Sequence, residues 1–234
     1  MLENYLLLQI NDAAFPIGSY SHSYGLETYI QKDLIKNSTD MYEFIKSNAK
    51  SNFLYTELLA SYKAYEYAGK NELDNIWSLE EIIDASKLPR EIRNASEKLA
   101  SRFIKTVSSL NVEYKSDIFV EYSKKKYEGN RIRSVAYGVF CSAAGIEMGK
   151  AMESYLYAYV SANIINSVKL IPLSQTEGQK ILYECYSFFH EIINMLPKLK
   201  INDLCLSTPG LDIRCMQHEN LYSRLYMSWQ KFIK

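Results

Sequence analysis

The stretch of sequence that decides the fold runs from Val135 to Met148 and reads VAYGVFCSAAGIEM. Its apolar residues lie on every side of a helical wheel and do not form a single stripe. A helix of this kind is buried, because a helix at the surface keeps a polar face toward water. We therefore predict a central buried helix here, and we expect the helical pattern to continue through Gly145 and Gly149, where glycines allow close helix packing.

Helical spacing of apolar residues also dominates on both sides of this stretch. Capping-box patterns begin at Asp40 (D-x-x-E) and at Ser174 (S-x-x-E), and Pro89 suits the first turn of another helix. A strand is only weakly indicated, at residues 170–173. The predicted helices cover about residues 2–10, 40–69, 73–83 (as one helix or two), 89–110, 116–127, 135–148, 152–164 and 175–196.

These elements predict an all-α fold, a single-domain helical bundle of eight to ten helices. Residues 1–197 are expected to form the helical domain. Residues 198–234 include Pro209 and Gly210 and are expected to form a C-terminal tail and helix, which is part of the same domain when ordered.

Composition narrows the class of protein. The 234 residues are 47% hydrophobic and 23% charged, as in ordinary globular proteins, and 27 Lys and Arg offset 27 Asp and Glu. This balance does not favour nucleic acid or anionic membrane as a partner. The longest nearly uncharged stretch has about 12 residues, against roughly 20 for a membrane span. No signal peptide or disulfide framework is indicated, so we expect a cytoplasmic protein.

Patterns for enzyme chemistry are weak. The three histidines, His22, His190 and His218, show no i, i+4 pair of the kind that binds zinc, so we predict no metal site. The segment Gly145–Ala151 resembles a phosphate loop, but one residue is missing between the glycines and Ala151 stands where Ser or Thr would bind magnesium. We therefore expect neither a catalytic site nor a bound cofactor.

An unusual segment lies near the N-terminus, where residues 14–27 read AFPIGSYSHSYGLE. Pro16 fixes φ, while Gly18 and Gly25 permit backbone conformations that other residues resist. Three serines and His22 add hydrogen-bonding groups suited to capping or to contact with a partner. A simple connecting loop does not need so many conformationally restricted, conformationally permissive and hydrogen-bonding residues.

Three separated motifs resemble the UreF family of urease accessory proteins. Residues 7–27 are similar to its LLQL-D-ALPIGGFSHS-GLE pattern. Residues 155–159 and 168–179 are similar to its AYLY helix and its R/K-L-IPLGQT-GQ junction, and residues 212–228 to its D-M-HE-L-RLF-S tail. The motifs occur in the family's order and cover nearly the whole chain.

The chain departs from the family pattern at a few positions. Ser19 replaces the second glycine of the first motif, Ser174 stands where glycine is common, and Tyr226 replaces a phenylalanine. A histidine that the family often carries before the central helix is missing near Arg133. We expect the loop at Ser19 to keep the family's backbone shape.

The resemblance implies a non-enzymatic, all-helical homodimer that takes part in nickel insertion. It implies binding to a UreD/UreH-type accessory protein and recruitment of a UreG-type GTPase, whose activity it modulates and which delivers nickel to apo-urease. Nickel would be handled by the complex, with no cofactor bound directly by this chain. A generic helical adaptor unrelated to urease and a helical enzyme remain the alternatives.

The resemblance also implies partner-binding residues, each with a structural alternative. The N-terminal segment forms either a contact surface or an internal brace. At the junction, Lys169 lies near the GTPase surface, or Gln175 and Gln179 only satisfy backbone groups. The tail orders on the UreD-type partner, or Met216, Leu221 and Leu225 dock it permanently. The expected partner-binding residues are Pro16, Gly18, Ser19, Ser21, His22, Gly25, Glu27, Lys169, Pro172, Gln175, Gln179, His218, Glu219 and Arg224.

Overall fold

The structure is a computed structural model that describes residues 2–18, 25–124, 129–206, 208–219 and 221. The described residues form no strand, so the strand indicated at 170–173 is wrong. The π-helix Ala49–Leu58 joins α3 to α4 without a break, and short 3-10 turns cover Leu196–Lys198 and Ile201–Asp203. The helices are α1 Leu2–Asn11, α2 Leu26–Gln31, α3 Ser38–Asn48, α4 Leu59–Gly69, α5 Leu73–Ser86, α6 Arg90–Ser108, α7 Ile118–Lys124, α8 Arg133–Ala143, α9 Met148–Leu170, α10 Gln175–Met195 and α11 Pro209–His218.

The predicted all-α class is confirmed. With α3, the π-helix and α4 taken as one continuous helix, the described part of the chain contains ten helices. Each of the eight predicted helices overlaps a helix of the structure, and residues 73–83 belong to one helix, α5. The sequence contains no signal for the π-helix, because its i to i+5 hydrogen bonds demand no particular residue type.

Helix α8 is the centre of the bundle, as predicted. Its residues from Ser134 to Cys141 are all buried, and it packs closely against α4. At Gly138 an added Cβ would lie 2.2 Å from the Ser61 carbonyl oxygen and 3.0 Å from the Ala64 Cβ. Only glycine permits this approach, because any side chain there would overlap the α4 backbone.

The predicted end of the central helix is wrong. Gly145 adopts φ of +69°, and the helix ends at Ala143. The Gly145 N–H donates to the Ser142 carbonyl (3.0 Å) and the Ile146 N–H to the Cys141 carbonyl (2.9 Å). These two bonds form a Schellman motif, in which glycine takes the left-handed position after the last turn. Gly145 therefore ends α8, and α9 is a separate helix that starts at Met148.

Two predicted helix starts differ from the structure. The cap of α3 is Asn37 and not Asp40: the Asn37 Oδ1 accepts the Asp40 N–H (3.0 Å), and Asp40 accepts the Lys36 N–H (3.0 Å). Asp40 thus occupies the third helical position, where a carboxylate also favours the helix dipole. Pro89 lies one position earlier than predicted, as the residue preceding α6.

The capping box at Ser174 is confirmed. Its hydroxyl accepts the Glu177 N–H (3.2 Å), and the Glu177 carboxylate accepts the Ser174 N–H (2.7 Å). The family-atypical serine at this position therefore contributes a cap that glycine could not form.

A buried acidic side chain anchors the start of α8. Glu80 of α5 is fully buried and accepts hydrogen bonds from the Tyr122 hydroxyl (2.6 Å) and the Ile132 N–H (3.1 Å), with an Arg131 Nη1 at 3.4 Å. Burial raises the pKa of Glu80 to about 7, although all three of these contacts favour the charged form. Helices α5, α7 and α8 are thereby tied together by one carboxylate.

The contact at Gly138 generates a stability prediction. We expect Gly138→Ala to destabilise the protein by about 2–3 kcal/mol, because the methyl group forces α8 away from α4 and helix propensity recovers only about 1 kcal/mol. The change is measured by urea unfolding. Gly149→Ala is the matched control in α9, where an added Cβ lies 3.4 Å from the flexible Glu147 Oε1. Equal free energies of unfolding for Gly138→Ala and Gly149→Ala would show that the close approach of α8 to α4 does not require a glycine at position 138.

Candidate partner-binding site

The structure describes ten of the fourteen predicted partner-binding residues. Ser19, Ser21, His22 and Arg224 lie outside the described residues. Eight of the ten fall into two regions: a seam where α11 packs on α2 and α6, and the break between α9 and α10. Pro16 is exposed and Gly18 half-buried on the segment that precedes α2.

The seam brings together residues from opposite ends of the chain. The His218 ring lies between two carboxylates, with Nδ1 2.8 Å from Glu91 Oε2 and Nε2 3.3 Å from Glu27 Oε2. The Glu27 side chain is 3% exposed and that of His218 is 15% exposed. Glu27 and His218, predicted from separate motifs, therefore form one polar cluster with Glu91.

The charge state of His218 is set by this cluster. Burial of the ring opposes protonation, but hydrogen bonds with Glu27 and Glu91 and the negative charges of both carboxylates outweigh it. The pKa of His218 is raised above its usual value as a result, which favours the imidazolium form.

Glu219 extends the cluster to the start of α6. Its carboxylate accepts the Glu91 backbone N–H at 3.3 Å and lies 3.5 Å from an Arg90 guanidinium nitrogen. The N–H groups in the first helical turn have no intrahelical acceptor, so a carboxylate there satisfies one of them and favours the dipole. Arg90 is 84% exposed, so its ion pair adds little.

Gly25 lets α11 approach closely. It precedes α2 with φ of +84°, and an added Cβ would lie 3.0 Å from the Cys215 Sγ. Beside it, the buried Thr28 hydroxyl donates to the Arg214 carbonyl oxygen at 2.9 Å. Gly25 and Glu27 of the N-terminal motif thus face α11 directly.

The segment before Gly25 braces the core at its described end. Phe15 and Ile17 are buried, with the Phe15 ring 6.2 Å from that of Phe103. Gly18 has φ of +81°, and an added Cβ would lie 2.8 Å from an Arg102 guanidinium nitrogen. Burial alternates along this segment: Phe15 and Ile17 are buried, and Pro16 between them is exposed.

The second region is the break between α9 and α10. Lys169, Pro172, Gln175 and Gln179 are all exposed there. The start of α10 is capped by Ser174 and Glu177. Both glutamine side chains project from the surface of the first turns of α10.

A cavity of about 420 Å³ adjoins the seam. Leu211, Asp212 and Cys215 of α11 form part of its wall, opposite polar side chains of other helices. Within it Lys87 pairs with Glu57; burial opposes the charge of Glu57, but Lys87 outweighs it and lowers the pKa of that carboxyl. Burial raises the pKa of Asp212.

Comparison with known proteins identifies the family. The UreF family model matches residues 35–186. The urease accessory protein UreF of Bacillus sp. (strain TB-90) is 35% identical over 226 residues, covering 95% of this chain and 97% of the relative. Those of Ureaplasma parvum serovar 3 (strain ATCC 27815 / 27 / NCTC 11736) and Lachnoclostridium phytofermentans are 33% and 32% identical, over 95% and 97% of this chain and 95% and 100% of the relatives.

The chain belongs to the UreF family. The resemblance seen in the three motifs is confirmed, and the adaptor unrelated to urease is excluded. UreF proteins are non-catalytic urease accessory proteins, components of nickel insertion, so the alternative of a helical enzyme is excluded as well.

Two further findings concern the described residues of this UreF chain. No group of three or more His, Cys, Asp and Glu side chains among the described residues is arranged to hold a metal ion. Of the helices described, none is both long enough and apolar enough to cross a membrane.

Sequence reasoning missed Glu91, Thr28 and Arg214. Arg214 and His218 are four residues apart and share a face of α11, which helical spacing could have indicated. Glu91 carries no such signal, because it lies 127 residues from His218 and in none of the family motifs.

The seam generates a prediction about Gly25. We expect Gly25→Ala to loosen α11, because a left-handed alanine costs about 1 kcal/mol or more and its methyl group pushes against Cys215. Hydrogen exchange of residues 209–218 should become about tenfold faster. Gly210→Ala is the control within α11, since no atom lies within 4 Å of the added Cβ. Unchanged exchange in Gly25→Ala would show that this contact does not hold α11.

Proposed function

We propose that this chain is a non-enzymatic scaffold in nickel insertion into apo-urease. It bridges a UreD/UreH-type accessory protein and a UreG-type GTPase and modulates the activity of that GTPase. Family membership supports a place in a urease accessory complex. The observation that carries the bridging role is that expected partner-binding residues of the family motifs gather at two regions, the α11 seam and the α9–α10 break, and a protein with two different partners requires two surfaces.

The seam is the proposed surface for the UreD/UreH-type partner. His218 and Glu219 end α11 there, and Arg224 follows in the same motif with a planar guanidinium suited to a carboxylate or carbonyl cluster. Glu27 is buried beneath His218, so its contribution is to hold that surface. The proposed surface also includes Ser19, Ser21 and His22, because they belong to the N-terminal motif and precede Gly25 in the sequence.

The α9–α10 break is the proposed surface for the GTPase. Lys169 supplies a positive charge at the end of α9, and Pro172 fixes the backbone between the helices. Gln175 and Gln179 are exposed and add amide groups that donate and accept hydrogen bonds.

We also propose that residues 198–234 belong to the same domain as residues 1–197. The Cys205 N–H donates to the Tyr55 carbonyl oxygen (2.8 Å), and the Asn52 amide donates to the Thr208 hydroxyl (2.7 Å). These bonds, together with the seam, join the C-terminal segment to the π-helix and to α2 and α6.

The remaining parts of the proposal concern assembly and cargo. The chain acts in the cytoplasm as a homodimer, and nickel is cargo that the assembled complex handles, with no cofactor bound by this chain directly. Neither nucleic acid nor membrane is a proposed partner, since the charges balance. Light scattering of the purified chain tests the dimer.

The central experiment is co-purification of this chain with the UreD-type and UreG-type proteins, followed by nickel-dependent activation of apo-urease. We expect one complex that contains both partners and active urease only when this chain is present. Capture of neither partner would overturn the scaffold proposal.

The α9–α10 break has its own prediction. We expect Lys169→Ala to weaken capture of the UreG-type GTPase about tenfold, because truncation of a charged interface residue commonly costs more than 1 kcal/mol. Capture of the UreD-type partner and the melting temperature should stay unchanged. Lys198→Ala, another exposed lysine, is the control. If both variants recruit the GTPase and support GTP turnover like the unmodified chain, Lys169 is not part of this surface.

A further inference from the structure

His218 is the last residue of α11 and makes contacts to two other helices at once. Glu27 reaches its Nε2 from α2, and Glu91 reaches its Nδ1 from α6. A neutral imidazole carries one N–H, whereas the imidazolium carries two. The arrangement therefore distinguishes between the two charge states of the ring.

In the neutral state one contact is unfavourable, whichever tautomer forms. If Nδ1 carries the proton, the lone pair of Nε2 faces the Glu27 carboxylate; if Nε2 carries it, the lone pair of Nδ1 faces Glu91 at 2.8 Å. Two acceptors then oppose each other in a site where the ring is mostly removed from water. In the protonated state both nitrogens donate to a carboxylate, and both contacts become charge-assisted hydrogen bonds.

Other charged groups at this end of α11 have contacts of their own. Glu219 adds a third carboxylate next to Glu91, and its cation Arg90 on α6 is largely exposed. Arg214 of α11 donates to Gln217 (2.7 Å), and its guanidinium lies over the Tyr29 ring.

We propose that protonation of His218 controls the docking of α11 on α2 and α6, so that the helix is clamped when the ring is charged and is released in part when the ring is neutral. Other contacts of α11, at Gly25, Thr28 and Thr208, involve no group that changes charge near neutral pH and hold the helix in both states.

The direction of the pH dependence follows from the environment of the ring. Because both carboxylates raise the pKa of His218 in the docked state, docking is favoured fully below the usual histidine value of 6.5. The contribution disappears as the pH rises through the raised value. Alkaline conditions therefore loosen α11, and mildly acidic conditions tighten it.

Release of α11 has a structural consequence beyond the seam. Leu211, Asp212 and Cys215 form one wall of the adjoining cavity, and Cys215 is buried in the docked state. When α11 moves away, this wall opens and the Cys215 thiol becomes accessible. His218 thus links the pH of the solution to the exposure of the Cys215 thiol and of this side of the cavity.

The experiment is hydrogen exchange of the full chain across the pH range around neutrality, comparing the unmodified protein with His218→Gln. In each protein, exchange of residues 209–218 is expressed as protection relative to the same sequence in the unfolded chain at the same pH, which cancels the intrinsic effect of pH on exchange. We expect α11 in the unmodified protein to lose protection as the pH rises, about tenfold for each unit by which docking raises the pKa of His218. His218→Gln should show no such transition.

Two further measurements keep the test decisive. Glu91→Gln retains the histidine but removes one carboxylate, so the transition in α11 should become smaller and move to lower pH, even if His218→Gln proves unstable. Alkylation of Cys215, taken as the ratio between the unmodified protein and either variant, should follow the same transition. Peptides from α8 serve as the internal control. The same pH dependence of α11 in all three proteins would overturn the proposal, as would titration of the His218 ring at its ordinary value.

Discussion

The contact on which the bundle depends is the approach of α8 to α4 at Gly138. The two backbones come so close that a methyl group would overlap the Ser61 carbonyl oxygen. This distance lets α8 be surrounded by other helices and bury its whole circumference. A central helix without a polar side needs its end groups satisfied inside the protein, and Glu80 meets this need by accepting the Ile132 N–H. The buried carboxylate is thus a consequence of the buried helix.

The central helix is well predicted from the sequence, because a helix that is buried on all sides has apolar residues on all sides. Apolar residues on all sides of residues 135–148 indicate a central helix, and the capping box at Ser174 locates the start of α10 to the residue. The helix ends are harder to predict. Gly145 and Gly138 are both glycines in the same apolar stretch, yet one ends the helix with a left-handed φ and the other allows close packing. The difference depends on the backbone around each glycine, which the sequence pattern does not reveal.

The candidate site shows a second limit of sequence reasoning. Gly25, Glu27, His218 and Glu219 were each predicted from family motifs, but nothing in the sequence indicates that the first and third motifs meet. Their contact depends on the packing of α11 across α2 and α6, which is determined by long-range geometry. Glu91 completes the cluster without any sequence signal. Family motifs therefore identify some residues of a site and miss others, as they miss Glu91 here.

The seam indicates that a motif residue in a scaffold protein can act on a partner directly, or indirectly by holding a neighbouring side chain in place. Glu27 is 3% exposed, so it influences a partner indirectly, by holding side chains such as His218 in place. Glu219 faces both the α6 backbone and the surface, so it can act in both ways. Loss of partner binding after substitution of either residue is expected whether the contact is direct or indirect. The distinction lies in α11 itself: a residue that acts through the seam must change the protection of α11 in the free chain, and a residue that only touches the partner must not.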